Sequence, residues 1–534
     1  MKKFAFLLLF SCSLIALDKP NIVIILTDDL GWGDVSYHGG TIPTPNIDNL
    51  VSRGLEMNRF YADPSCSPTR ASMLTGINNF ANGVVRPFAN PRVESFGMPL
   101  EHKIMPEYLR DVGYVTALSG KWHLGMSDDA FLPINRGFDS TYGHLMGGIG
   151  YFDHGFSGRL DWHKNGEVLY EDGYSTTLIA NEAVRIIENK DESTPLFLYV
   201  AFNAPHTPIQ AEESDIELFK NIDNDYDRKY AANIFSLDRE IGKIIKAIEN
   251  SGLLEETIIV FFSDNGPVFD VDPIAKVIAP DLLSARGSAG KLKGSKLSAY
   301  EGGIRVPAVI YWKGKLEGGK SEQFFFAQDL LPTLLSAASI KVNNSSFTGV
   351  DRWDDLINNN IKEPKNVHTG NIVINDERAL FNGKWKLFYS QNIQANGPKT
   401  YELYDILNDP YETNDLSQQY QEVFNEMKNT MDNQTIWMNP PKIDPVMMFL
   451  WGDRFTDETR FIGSPWLNRD YELKEPPSPF INAILFAWIM ILAFKEIVIL
   501  AILIILLFGL FVSCLLYTSP SPRDRTRSRM PSSA

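Results

Sequence analysis

N-I-V-I-I-L-T, residues 21–27, followed at once by Asp28 and Asp29, is the stretch on which the fold turns. Apolar residues fill it without alternation, which suits a strand buried on both faces of a sheet. Comparable runs recur at Tyr114–Leu118, Leu196–Asn203, Thr257–Ser263 and Val306–Tyr311. Helical patterns lie between them. In the clearest, Asp227–Ser251, Ile234, Leu237, Ile241, Ile244, Ile245 and Ile248 recur at helical spacing. Strands alternating with helices predict an α/β fold over residues 18–335: a largely parallel central sheet sandwiched by helices. Ligands of such sheets sit beyond the carboxyl ends of the strands. Asp28-Asp29, His206 and Asp264-Asn265 each follow an apolar run, so polar groups stand where that architecture would build a site.

Outside this core the character changes. Leu380–Tyr389 and Tyr401–Ile406 read as antiparallel strands with turn signals between them, predicting a smaller C-terminal α+β subdomain over 336–479. Residues 1–17 carry a charged start, an apolar stretch and small residues, the pattern of a secretory signal. This implies an exported, periplasmic or extracellular protein. Leu9-Phe10-Ser11-Cys12 faintly resembles a bacterial lipoprotein box, into which Phe10 fits poorly, so cleavage and lipidation both stay open. Residues 480–516 form a hydrophobic segment in which Ile497–Leu516 is long enough to span a bilayer as a C-terminal membrane anchor. The Arg-rich tail at 517–534 has no fold logic and resembles appended, non-native sequence. A genuine anchor and tail, or foreign sequence, are both open readings.

With 534 residues, the chain exceeds one compact core and predicts two domains, or a large one with a smaller attached. A formal charge of -16 argues against nucleic acid as a partner, because phosphate backbones need a basic footprint. Of the three cysteines, Cys12 and Cys514 fall in the leader and tail, leaving Cys66 alone in the globular part. An exported lone cysteine calls for an explanation.

Cys66-Ser67-Pro68-Thr69-Arg70, followed by Ala71, Ser72, Leu74, Thr75 and Gly76, supplies one. Asp28-Asp29-Leu30-Gly31-Trp32-Gly33-Asp34 and Ser263-Asp264-Asn265-Gly266 offer carboxylate and amide oxygens, hard ligands that suit Ca²⁺ or Mg²⁺. Gly120-Lys121-Trp122-His123-Leu124-Gly125 places a cation and an imidazole two residues apart, on one side of an extended segment. Asn203-Ala204-Pro205-His206-Thr207-Pro208 sets a histidine between prolines that fix its turn. Gly294-Ser295-Lys296-Leu297-Ser298-Ala299-Tyr300-Glu301-Gly302-Gly303 contributes another lysine.

Together, in this order, the motifs closely resemble those of the type I, formylglycine-dependent sulfatases, nearest in flavour to the arylsulfatase A and B group of the alkaline phosphatase superfamily. The resemblance implies that a formylglycine-generating maturation enzyme oxidises Cys66, and that the hydrated aldehyde attacks sulfur through one hydroxyl and expels sulfate through the other. It implies one Ca²⁺ per chain, held by Asp28, Asp29, Asp264, Asn265 and the oxygen of residue 66, with Asp34 structural. Lys121 and Lys296 would bind sulfate, with Lys293 the substitute if the motif slips. His206, or Lys296, would protonate the leaving alcohol, and His123 would act as base in releasing sulfate. Arg70 belongs to the same set as anchor of the nucleophile loop, and Arg305 supports its own loop.

The implied activity is hydrolysis of sulfate esters, of a sulfated small molecule or, for an exported enzyme, a sulfated glycan. Two rivals share these residues: a phosphodiesterase or phosphonate hydrolase of the same superfamily, and a non-catalytic sulfated-glycan binder with unconverted Cys66. In the loop Leu132–Gly166, Trp162 and His163 could equally stack on a sugar or pack internally.

Overall fold

The computed structural model describes residues 19–434, apart from 89–96, 127, 157–158, 270–286, 343–344, 374 and 393–396. The expected signal (1–17), hydrophobic segment (480–516) and tail (517–534), with Cys12 and Cys514, lie outside the described residues.

The strands in chain order are β1 (Asn21–Thr27), β2 (Leu55–Tyr61), β3 (Val115–Gly120), β4 (Ser140–Gly143), β5 (Gly155–Phe156), β6 (Arg159–Leu160), β7 (His163–Lys164) and β8 (Glu167–Val168). They continue with β9 (Leu196–Ala201), β10 (Thr257–Ser263), β11 (Ala308–Tyr311), β12 (Gly319–Phe326), β13 (Val367–Ile372), β14 (Asn375–Asn382), β15 (Trp385–Asn392) and β16 (Thr400–Asp405). A 10-stranded sheet has the order β12-β2-β11-β10-β1-β9-β3-β4-β7-β8. From β4 through β3, β9 and β1 to β10 it is parallel. The run at 306–311 enters it antiparallel, as β11, between β10 and β2. Two reversals restore the direction, so β2 ends at the same edge as β1.

The unbroken apolar runs have a simple cause. Side chains alternate across a strand, and here both faces are covered. Ile22, Ile24 and Leu26 of β1, with Phe197, Tyr199, Ile258, Val260 and Phe262, join one core; Val23 and Ile25, with Leu198, Val200, Ile259 and Phe261, join the other. Each fully buried side chain of this size contributes roughly 1.5–3 kcal/mol relative to exposure. The helix Asp225–Asn250 lays the six expected leucine and isoleucine positions, Ile234 to Ile248, on the second core. It starts slightly before the expected boundary because Asn224 caps it, accepting from the backbone N–H of Tyr226 and Asp227.

The small antiparallel sheet, β13-β14-β15-β16, also has two faces. Leu380, Leu387 and Tyr389 pack under Met427 and Met431 of the helix Gln421–Asp432. Ala379, Phe381 and Phe388 pack with Tyr61, Phe324 and Phe326 at the edge of the large sheet, and with Ala299 and Ile304. The small sheet is thus seated beside the strand ends that carry the acidic motifs.

Candidate active site

Asp28 and Asp29 leave β1, Asp264 and Asn265 leave β10, Lys121 leaves β3 and His206 follows β9. Cys66 opens the buried helix Cys66–Thr75 after β2. All stand at one edge of the sheet. Asp29 (φ 67°), His123 (φ 56°) and Leu297 (φ 71°) adopt left-handed backbone, so strained non-glycine residues gather here. The expectation of an extended Lys121–His123 segment is corrected by that His123 conformation. Gly120, φ 116°, starts the turn: a Cβ there would lie 1.9 Å from the Ala201 carbonyl oxygen of β9. Only glycine allows the strands to close so tightly where the chain swings into the site.

The charges interlock. Lys121 Nζ is 2.6 Å from Asp28 Oδ2, with both side chains fully buried. Cys66 Sγ lies 3.5 Å from Asp28 Oδ1. Arg70 donates from Nε and Nη2 to Asp264 Oδ2 at 3.0 and 2.7 Å, and from Nη1 to the Lys121 carbonyl at 3.0 Å. It therefore ties the helix opened by Cys66 to β10 and β3. Asn265 Nδ2 donates to Asp29 Oδ1 at 2.7 Å, and Lys296 Nζ meets the same oxygen at 2.6 Å. Lys293 instead donates to Glu402 and Tyr404 and lies 3.8 Å from the Tyr300 ring centroid. Of the two candidate lysines, Lys296 reaches the cluster.

Burial alone would raise the Asp28 carboxyl, but Lys121, His206, Arg70 and Lys296 outweigh it and hold the group below the usual carboxylate range. Burial, then the charge of Asp28, pushes Asp264 up to about 6 despite Arg70. Burial and Asp264 push the Cys66 thiol up to about 12, so the unmodified side chain is a poor nucleophile at neutral pH. Burial would lower Lys296; Asp29 and the other anionic groups reverse this and keep it cationic.

The histidine tautomers follow from their partners. A carbonyl oxygen only accepts, so His123 Nε2 donates to the Phe88 carbonyl at 3.0 Å. Its Nδ1 is buried, carries the lone pair and has no partner among the described residues. Burial, then Lys121 and Arg70, holds His123 well below its ordinary pKa, which keeps the ring neutral. His206 donates from Nδ1 to the Thr207 carbonyl at 2.6 Å, turning Nε2 toward Asp29 Oδ2 at 3.8 Å.

Ligand atoms of Asp28, Asp29, Cys66 and His206 lie within 4.8 Å of one another. The buried Asn265 Oδ1 has no hydrogen-bond partner among the described residues. Carboxylates with a spare amide oxygen fit a hard divalent cation. Sequence reading left His206 out of that cluster; His206 comes to it from β9, on a chain segment far from both Asp pairs. Asp34 stands apart, accepting from Gly31 N, Ser288 N and the Tyr230 hydroxyl.

Several supporting residues escaped the sequence reading. A Cβ on Gly147 would meet the His123 ring at 2.6 Å, and one on Gly148 the His206 Nδ1 at 2.8 Å. The Gly-Gly pair thus lets one loop lie against both imidazoles, and the dipeptide was the available signal. Ser67 donates to the His123 carbonyl at 2.8 Å, and the Tyr151 hydroxyl to the His206 carbonyl at 2.8 Å. Trp162 is fully buried, with its ring centroid 4.5 Å from that of His154, and His163 is buried as well, so both pack internally.

Residues 20–340, more than half of the chain, match the Sulfatase family model. The chain belongs to the sulfatase family. This sulfatase-family chain is 32% identical to mouse (Mus musculus) arylsulfatase J over 70% of its own length and 61% of that protein's. It is 28% identical to human (Homo sapiens) arylsulfatase A over 77% of its length and 86% of that relative's. Several relatives, arylsulfatase J among them, are thus matched over less than two thirds of their length. Among solved structures, Ps i-CgsB in complex with k-i-k-neocarrahexaose superposes with a TM-score of 0.68 at 31% identity, covering 78% of this chain and 94% of that one.

Proposed function

We propose that the protein hydrolyses sulfate esters of a sulfated carbohydrate, with residue 66 oxidised to formylglycine and Ca²⁺ bound by Asp28, Asp29, Asp264 and Asn265. The observation that carries this reading is Cys66 Sγ, 3.5 Å from Asp28 at the mouth of a buried helix, inside a ring of carboxylates, lysines and histidines. A thiol pushed up to about 12 needs chemical conversion to serve as a nucleophile, and formylglycine supplies a hydrated aldehyde. Bound Ca²⁺ would supply a Lewis acid that polarises the sulfuryl oxygens.

The chain's own residues do the rest. Lys121 and Lys296 are fixed cations for the charge gathering on sulfate. The firm protonation of Lys296 favours that anchoring role; His206, carrying a second proton on Nε2 before the step, delivers that proton to the departing alcohol and is left as the neutral ring that donates from Nδ1 to Thr207. His123 Nδ1, with its free lone pair, takes the proton whose loss releases sulfate. Arg70 holds the nucleophile helix through Asp264 and the Lys121 carbonyl. A carbohydrate is supported by the relatives: one is an N-acetylgalactosamine-6-sulfatase, and Ps i-CgsB is solved with k-i-k-neocarrahexaose. The leader pattern supports export, where Ca²⁺ is plentiful.

Peptide mass spectrometry of the Cys66 peptide, from protein made beside a formylglycine-generating enzyme, tests the reading with sulfate release measured on the same sample. Formylglycine together with sulfate release is the expected result. Conversion with aryl phosphodiester cleavage and no sulfate release would favour the phosphodiesterase. Unconverted cysteine, with a control substrate converted, would favour the glycan binder. Calcium is tested apart from turnover: adding it to chelator-stripped protein should raise the melting temperature, since a ligand of the folded state stabilises it.

A further inference from the structure

Among the described residues the small sheet contributes no group to the acidic cluster, yet two residues directly opposite each other on its strands reach both halves of the site. Asn371 of β13 pairs with Glu377 of β14, and cross-strand partners share one face of a sheet. The fully buried Asn371 accepts from Ser65 Oγ at 2.9 Å through Oδ1, next to Cys66. Glu377 accepts through Oε2 from Ser298 Oγ at 2.7 Å and from Ala299 N at 3.1 Å, just beyond Lys296.

The turn that Glu377 holds needs holding. Leu297 sits at φ 71°, a costly conformation for a residue with a bulky side chain. Its N–H donates to the Pro64 carbonyl at 2.7 Å, which joins the lysine turn to the nucleophile turn. Lys296 N–H donates to the Pro267 carbonyl at 2.8 Å. Glu377 closes the third side. A carboxylate receiving a hydroxyl and a backbone N–H fixes the direction in which the chain leaves Lys296.

We propose that the Asn371–Glu377 pair is a positioning device that sets Lys296 relative to residue 66, with Glu377 acting through Lys296. This rests on the sulfatase reading of the site. A displacement near 1 Å can cost about 100-fold in rate, so Glu377→Ala should lower kcat about 10- to 100-fold. Glu377→Gln, which keeps an acceptor oxygen, should recover most of it.

The decisive comparison is Glu377→Ala alone, Lys296→Ala alone and the two combined. If Glu377 acts through Lys296, the combined variant is no slower than Lys296→Ala. Losses that multiply, or a Glu377→Ala enzyme within twofold of wild type, would overturn the proposal. A crystal structure of Glu377→Ala judges it without turnover: Lys296 Nζ should leave its 2.6 Å contact with Asp29 Oδ1, and an unmoved lysine would overturn it. Wild-type protein that releases no sulfate defeats the functional reading instead, and the crystallographic result then decides the pair by itself.

Discussion

The large and small sheets divide the labour unequally. Strand ends of the large sheet supply the groups placed to do chemistry, while the small sheet holds the turns on which two of them ride. Parallel strands direct their carboxyl ends to one edge, so a few residues after each strand suffice to assemble a site. An antiparallel meander points strand ends both ways and offers no such edge. Its useful feature is a face: Thr369, Asn371 and Glu377 reach Asp63, Ser65 and Ser298 from it. The difference teaches that proximity to reacting atoms and control over them are separable properties.

The sharpest way to break this division is at Cys66, the proposed nucleophile. Cys66→Ala should abolish sulfate release, to well below a thousandth of wild type, while leaving the melting temperature within a few degrees. Retained turnover would remove the large sheet's claim to the chemistry. Next in size is Asp28→Asn, which leaves Lys121 fully buried beside a neutral partner. Stranding one member of a buried pair costs about 3–5 kcal/mol, so urea unfolding should show a markedly earlier midpoint, with activity lost as well. An unchanged midpoint would mean the pair is not a stabilising element.

Smaller effects sharpen the comparison. Thr369 donates to Asp63 Oδ1 at 2.7 Å, and burial pushes that carboxyl up to about 6. Thr369→Val should cost about 1–3 kcal/mol by leaving a buried oxygen without its donor. A melting temperature within a degree of wild type would show that this contact of the small sheet contributes little.

A pH series probes the large sheet beside its site. Burial lowers His144 from 6.5 to about 3, so the folded ring stays neutral while the unfolded ring gains a proton first. Its contribution is complete above pH 6.5 and is lost as pH falls toward 3. His144→Gln should therefore flatten the acid-side decline in unfolding free energy by up to about 1.4 kcal/mol for each pH unit below 6.5. A wild-type slope in that variant would assign the decline to other groups.

Much of the site was legible because its residues sit in short, dense motifs after apolar runs. The clustering of Asp28, Asp29, Cys66 and His206 could be anticipated only by trusting that the strands align. Other features were not legible. Nothing local to Trp162 distinguishes a sugar platform from a core ring; its stack on His154 decides the matter. The spacing of Lys296 before Tyr300-Glu301-Gly302-Gly303 favoured it over Lys293 through the family resemblance; that it turns toward Asp29 is decided by the fold. Left-handed backbone at His123 overrode the simple alternation expected of a strand.

The sequence by itself determined the strand runs, the helix periods and the residue types, because each depends on neighbours within a few positions. Tertiary structure alone decided which of those residues meet. Arg70 and Asp264 are 194 positions apart, and Asn265 and Asp29 are 236. Contacts at such separations follow from sheet order and from how two faces of apolar side chains are covered. Both are settled by the packing of the whole chain rather than by any segment of it.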